Sequence, residues 1–220
     1  MAVSMKSVHV VAALALCTAC GLLPKGGIAS KTVDQIGSMT GLKPAPAPAA
    51  PEIPADALAK GPGNVLIVTL MARDTVLVMT RAGTNNGVDT WRTDQGITLS
   101  FQDGILVASR GLNEDLMGAD VTGVHDAVIA GTGLAQRRHA FLNSEDQIVT
   151  RDLACVITTV GDEDVLAATG PVPAIKVLEA CSGKVLSIKN TYWIDAVGGT
   201  ILQSQQALAP GVGFVKVNSL

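Results

Sequence analysis

From Asn64 onward the chain is written in short apolar runs punctuated by Gly, Asp and Asn. Asn64–Met71 (NVLIVTLM) and Asp74–Thr80 (DTVLVMT) are rich in β-branched residues and are separated by Ala72-Arg73. Asp89–Thr93, Gly96–Phe101 and Ile105–Ser109 follow, with Asp94-Gln95-Gly96 and Gln102-Asp103-Gly104 as the turns between them. Runs of this kind, bounded by turn residues, predict consecutive antiparallel hairpins. Gly111–Met117 (GLNEDLM) is polar enough for one helical turn. Further runs are Arg137–Leu142, Gln147–Val160, Asp164–Ala168, Ile175–Ala180, Lys184–Asp195, Thr200–Ala207 and Gly213–Val217. Alternation is clearest in Thr200–Gln205 and Lys184–Ile188, and no long stretch beyond residue 130 keeps a 3.6-residue period. The pattern predicts a single all-β domain over residues 64–220, an antiparallel meander barrel or sandwich of about ten to twelve strands with at most short helices.

Before residue 64 the pattern is different. Six of the ten prolines fall between Pro44 and Pro62, including Pro-Ala-Pro-Ala-Pro-Ala-Ala-Pro, which favours extended conformations with no packed core. As a coil such a tether reaches roughly 35 Å. Thr32–Leu42 has weak helical spacing (Val33, Ile36, Met39) within it. Residues 1–19 read MAVSMKSVHVVAALALCTA: one charge at Lys6, then an apolar core too short to span a bilayer. That is the plan of a secretory signal peptide. Thr18-Ala19-Cys20-Gly21 resembles the lipobox of bacterial lipoproteins, in which the cysteine thiol receives diacylglycerol and becomes the new N-terminus. The residue three before Cys20 is Cys17, where that family usually has Leu. Taking Cys17 as the acceptor puts Leu14 at that position but bulky Leu16 next to the cleavage point. A plain signal peptide with an incidental cysteine is the third reading. The expected organisation is signal peptide 1–19, lipidated Cys20 with tether 20–63, and domain 64–220. Acyl chains on Cys20 would supply membrane attachment, and Gly21 after the cysteine directs an enterobacterial-type lipoprotein to the periplasmic face of the outer membrane.

Composition narrows what the domain can do. Hydrophobic residues make up 48% and charged ones 16% of the 220 residues, enough apolar surface to exclude whole-chain disorder. Lys and Arg number 16 against 19 Asp and Glu, so the basic footprint of a nucleic-acid partner is absent. There are two Trp, one Tyr and three Phe, none before Trp91, which argues against a long stacking platform. Cys155 and Cys181 remain after the lipobox; an even pair on adjacent strands of an exported chain predicts a disulfide, with two reduced core cysteines as the alternative. Only His125 and His139 lie beyond the signal, at no ligand spacing from the cysteines, so no metal and no cofactor are expected.

Enzyme signatures do not survive inspection. Gly131-Thr132-Gly133-Leu134-Ala135-Gln136 lacks the third glycine of a dinucleotide loop and its βαβ context. Gly183-Lys184 lacks the rest of a phosphate loop, and there is no Gly-x-Ser-x-Gly elbow. Asp162-Glu163-Asp164 reads as a solvated turn after Gly161, and His139 between arginines as a strand residue.

Two stretches resemble a known family. The first is Trp91-Arg92-Thr93-Asp94-Gln95-Gly96-Ile97-Thr98-Leu99, continuing to Asp103–Val107, Arg110-Gly111-Leu112 and Asp115-Leu116-Met117. The second is Cys181-Ser182-Gly183, Asn190–Asp195, Gly199, Ser204-Gln205-Gln206 and Pro210. Together they are similar to the YjbF/GfcB lipoproteins of group 4 capsule and exopolysaccharide clusters, with Asn113 where glycine is common and Gln205 where arginine is common. The resemblance implies an all-β fold and a part in polysaccharide secretion without an assigned reaction. The expected role is non-catalytic binding, to a polysaccharide or an export-machinery protein, through a patch of Trp91, Arg110, Tyr192, Trp193, Ser204 and Gln205. In an aliphatic barrel Trp91, Tyr192 and Trp193 more often complete the core than bind a ligand, and Arg110 and Asp115 could pair to fix the short turn. A carbohydrate-active enzyme with paired carboxylates beside Trp91 or Trp193, and a structural lipoprotein with no sugar contact, are the alternatives.

Overall fold

The computed structural model describes residues 63–167 and 170–219; the signal peptide, Cys20 and the tether up to residue 62 lie outside the described residues. Twelve antiparallel strands follow one another: β1 (Val65–Leu70), β2 (Thr75–Asn85), β3 (Val88–Arg92), β4 (Thr98–Gln102), β5 (Ile105–Arg110) and β6 (Gly118–Asp120). After one helix, α1 (Val124–Ala130), come β7 (Thr132–Leu142), β8 (Ile148–Ala167), β9 (Gly170–Ser182), β10 (Ser187–Asp195), β11 (Ile201–Ala207) and β12 (Phe214–Ser219). Their order in the sheet is β5-β4-β3-β2-β1-β12-β11-β10-β9-β8-β7-β6, so β1 pairs with β12 and the edges are β5 and β6. Those two edges are consecutive in the chain. The Ser109 N–H donates to Leu116 O and the Met117 N–H to Ala140 O, bringing them together into a nearly closed barrel.

The expected hairpins form where turn chemistry permits. Asp103 and Gly104, and likewise Asn86 and Gly87, all have positive φ, which two-residue hairpin turns demand. Four sequence expectations need correction. Gly111–Met117 is a bend rather than a helical turn, because Asp115 accepts from the Gly111 and Leu112 amides and holds the loop open. Gly161 to Asp164 is not a turn: β8 runs unbroken for 20 residues, a register shift between Thr159 and Gly161 leaves Val160 as the extra residue, and Gly161–Asp164 stay paired with β9. Strands β2 and β7 extend well beyond the apolar runs that signalled them. The seven-residue α1 went unread; it buries Val124 and Val128 and is bounded by Gly123 and Gly131 at positive φ. At Gly131 a Cβ would also collide with the Thr159 hydroxyl that donates to its carbonyl.

Inside the barrel, Val68, Leu70, Met79, Leu99, Leu112, Leu116 and Val215 form one cluster, and Ile105, Val128, Ile157, Val177 and Ile188 a second. Each such side chain contributes about 1.5–3 kcal/mol by burial. Because strands alternate direction, every connection lies at one of two mouths. The first mouth carries the β2–β3, β4–β5 and β10–β11 turns, α1, and the point where the chain enters at Gly63. The second carries the 93–97, 111–117, 143–147, 183–186 and 208–213 connections.

Candidate functional site

Inward positions alternate along each strand, and on β7, β9, β10 and β11 several of them are polar. Arg137 and Glu179, both buried, form a bidentate pair: Nε donates to Oε1 at 2.6 Å and Nη2 to Oε2 at 2.8 Å. The Asn190 amide donates to Glu179 Oε2 at 2.8 Å, and the Tyr192 hydroxyl donates to the same oxygen at 2.9 Å while accepting from Arg137 Nη2 at 2.9 Å. Burial pushes the Tyr192 hydroxyl well above the usual phenol range, so it remains a neutral donor. Asn190 Oδ1 accepts from the Ala207 amide. The Gln206 side chain reaches across the interior to β5, where Oε1 accepts from the Leu106 amide at 2.8 Å and Nε2 donates to Gly104 O at 2.8 Å. One side-chain amide thus serves the edge strand as a neighbouring peptide would. Nε2 also donates to Ser204 Oγ at 2.9 Å. The motif residues Asn190, Tyr192 and Gln206 are consumed by this layer as scaffold, each bonded to another member and buried, and Ser204 meets the layer through Gln206.

The disulfide joins Cys155 and Cys181, which face each other directly across β8 and β9, with Cα atoms 3.9 Å apart. Glu179 lies beside the two sulfurs. With the sulfurs joined to each other and the carboxylate committed to Arg137, the trio offers no free thiolate to a metal.

At the first mouth the barrel opens into a cleft of about 500 Å³. Its apolar lining is Leu66, Trp91, Phe101, Ile201 and Val217; its polar lining is Arg81, Asp89, Asp103, His125, Thr200, Gln203 and Ser204. Arg81 organises one lip. Its guanidinium lies 4.9 Å from the Trp91 ring centroid, Nη1 donates to Asp89 Oδ1 at 3.1 Å, and Nη2 donates to Gly63 O at 3.3 Å. Asp89 Oδ1 also accepts from Thr84 Oγ1. Polar donors and acceptors around an apolar lining suit a ligand that presents hydroxyls at its edge and C–H groups on its face.

The six residues expected to share a patch are distributed over the molecule. Trp91 and Ser204 line the cleft. Tyr192 is buried in the polar layer. Trp193 lies under Val165, Ala174 and Leu202, with Lys176 Nζ 5.2 Å from its ring centroid. Gln205 is half-buried between Thr191 and Lys216 on the wall. Arg110 belongs to the second mouth, donating to Leu116 O and Met117 O; it and Asp115 secure the bend by bonding backbone groups rather than each other. Sequence reasoning passed over Arg81, Asp89 and Gln203, weighed His125 only as a metal ligand and read Asp103 only as a turn and motif residue, whereas distant elements bring all five to one mouth. It also passed over Arg137 and Glu179, although Glu179 sits two residues from Cys181 and therefore on its inward face.

The chain compares with known proteins as follows. No curated protein matches it. Among solved structures, the crystal structure of the hypothetical lipoprotein YmcC from Escherichia coli (K12) superimposes with a TM-score of 0.58, covering 70% of this chain and 80% of that one at 17% identity, a likeness of fold. A family model described as group 4 capsule polysaccharide lipoprotein gfcB, YjbF matches residues 41–220, reaching from the Pro/Ala-rich segment to the last residue. The chain belongs to the YjbF family of group 4 capsule polysaccharide lipoproteins.

Proposed function

We propose that this protein is anchored through acylated Cys20 to the periplasmic face of the outer membrane and assists capsule or exopolysaccharide assembly by binding saccharide in the first-mouth cleft, without catalysing a reaction. The family supports a part in capsule assembly. The observation that carries the binding reading is the cleft itself, whose lining combines Arg81, Asp103, Gln203 and Thr200 with Trp91, Phe101 and Ile201. The tether, read as residues 20–63, joins the domain at the lip of this cleft, where Arg81 holds Gly63 O. A bound chain would therefore lie within tether reach of the membrane.

One observation favours a second reading. Asp89 and Asp103 line the same cleft, and glycoside hydrolysis uses two carboxylates. Asp89 Oδ1, however, is engaged by both Arg81 and Thr84, which suits a structural anion better than an acid that gives up its proton.

Deletion of the gene, complemented with wild-type, Cys20→Ala and Arg81→Ala/Gln203→Ala chains, tests the proposal by the amount of polysaccharide reaching the surface. Wild-type complementation restores it and both variants fall short. Unchanged export in the deletion strain contradicts the role, and full rescue by the cleft variant contradicts the site. Cys20→Ala also abolishes acyl labelling; a persisting label moves the acceptor to Cys17. Release of new reducing ends from the polysaccharide by the wild-type domain, lost in Asp103→Asn, would favour the enzyme.

A further inference from the structure

The charges of the first-mouth cleft do not cancel. Among the residues that line it, Arg81 is the one guanidinium and there is no lysine, against the two carboxylates Asp89 and Asp103. Arg81 and Asp89 neutralise each other at 3.1 Å, and the lining imidazole of His125 meets Asp126 at 3.3 Å. The Asp103 carboxylate has neither an ion pair nor a hydrogen bond among the described residues. Its position is nonetheless fixed. Asp103 stands at φ 50° in the β4–β5 turn, and Gln206 Nε2 donates to the carbonyl of the next residue, Gly104, at 2.8 Å. Ile201, itself part of the apolar lining, packs so close to Gly104 that a Cβ there would lie 3.1 Å from its Cδ1. The cleft therefore holds an uncompensated carboxylate beside an apolar wall. Asp89, Asp103 and His125 do not converge on a metal ion: among the described residues, three such ligand atoms gather within 4.8 Å only at Cys155, Glu179 and Cys181. The missing positive charge is left to the ligand.

We propose that the cleft selects its saccharide by charge, taking stretches that carry free amino groups, as unacetylated hexosamine does, over stretches that carry carboxylates. The inference rests on the saccharide-binding reading above and names the class of sugar. An ammonium group donates hydrogen bonds and accepts none, which suits a carboxylate that has no partner of its own. A uronate meets Asp103 as a like charge, and like charges set against each other reject the wrong partner. The one guanidinium a uronate could pair with is already shared among Asp89, Gly63 O and the face of Trp91. An N-acetyl group removes the charge of the amine, so acetylated hexosamine counts as neutral here. The cavity at the second mouth, about 190 Å³ between Phe141 and Phe214, is lined by no carboxylate, lysine or arginine and offers no such selection.

The test is titration calorimetry on the mature chain, residues 20–220, in a sugar-free non-ionic detergent at low ionic strength. Three β-1,4-linked tetrasaccharides share one backbone and differ in charge: the glucosamine tetramer, cellotetraose, and the glucuronate tetramer made by oxidising cellotetraose at C6. The glucosamine tetramer is expected to bind at least about threefold more tightly than cellotetraose, and the glucuronate tetramer more weakly than either. Both differences shrink at high salt. Asp103→Asn, whose side chain tolerates the same backbone conformation, brings the glucosamine tetramer to the affinity of cellotetraose with an unchanged melting curve. Equal affinities for the three, or the glucuronate tetramer ahead, overturn charge selection. A preference for the amine that persists in Asp103→Asn overturns the assignment to Asp103. Absence of binding by the glucosamine tetramer also overturns the proposal, and oligosaccharides from the cell's own polysaccharide then decide the reading beneath it. Their binding leaves a saccharide cleft without amine selection, and their failure to bind removes both.

Discussion

Taking Arg137 and Glu179 out of water costs several kcal/mol per ion, and the pair is compensated because Arg137 Nε and Nη2 and both Glu179 carboxylate oxygens are hydrogen-bonded. Removing one member leaves the other charged and alone. Arg137→Met is therefore expected to destabilise the domain by about 3–5 kcal/mol, while Arg137→Met combined with Glu179→Leu costs markedly less. Urea denaturation of the two variants checks this; equal losses would mean that the pair acts only through its packing. His139 behaves differently because it is buried neutral. Burial first, and the Arg137 charge second, hold its pKa down at about 4, below the usual imidazole value of 6.5, with Glu179 opposing them. The folded state therefore binds fewer protons than the unfolded chain between those values. The stability His139 contributes is complete above about pH 6.5 and is lost as pH falls toward about 4, amounting to roughly 3 kcal/mol. His139→Phe should flatten the stability curve over that interval, and an unchanged slope would refute the assignment.

At the scale of elements, the seam between β5 and β6 is where an antiparallel meander is weakest, because edge peptides lack neighbours. Gln206 answers that need from β11 by bonding Gly104 O and the Leu106 amide. Gln206→Leu should leave both backbone groups unpaired and speed hydrogen exchange at Leu106 far more than at the central β1–β12 ladder. Uniform acceleration would point to global destabilisation instead. The longest hairpin, β8–β9, is held by Cys155–Cys181 across 26 residues of sequence. Replacing both cysteines with alanine should cost about 3–4 kcal/mol in the chain-entropy account. Free thiols at both positions in unreduced protein would contradict the bridge. These elements also show why some strands were legible and others were not. Asp103-Gly104 announces its hairpin because both residues readily take the positive φ that a two-residue turn needs. Gly161-Asp162-Glu163-Asp164 looks like a turn, yet cross-strand pairing with β9 overrides local preference. Residues 132–136 and 81–85 are too polar or glycine-rich to read as strands, and only their neighbours make them so.

For the whole molecule, the scarce rings describe the architecture. Trp91 and Phe101 line the first-mouth cleft, Phe141 and Phe214 the second-mouth cavity, and Tyr192 and Trp193 the layer and wall between. The motif sequences identified the family and pointed to Trp91 and Ser204. They could not separate scaffold from site, because Asn190, Tyr192 and Gln206 are part of the same motifs and are consumed by the fold. The cleft was invisible in sequence for a geometric reason. Arg81, Asp103, His125 and Gln203 come from four separate elements, and closing the sheet is what brings them to one mouth. Saturation-transfer NMR of the disulfide-intact domain, with oligosaccharides cut from the capsule or exopolysaccharide of its own cell, tests the binding claim most directly. Transfer to sugar protons is predicted for the wild type and lost in Arg81→Ala/Gln203→Ala, with the melting temperature little changed. Absence of transfer to the wild type, or equal transfer to the variant, would contradict saccharide binding in this cleft.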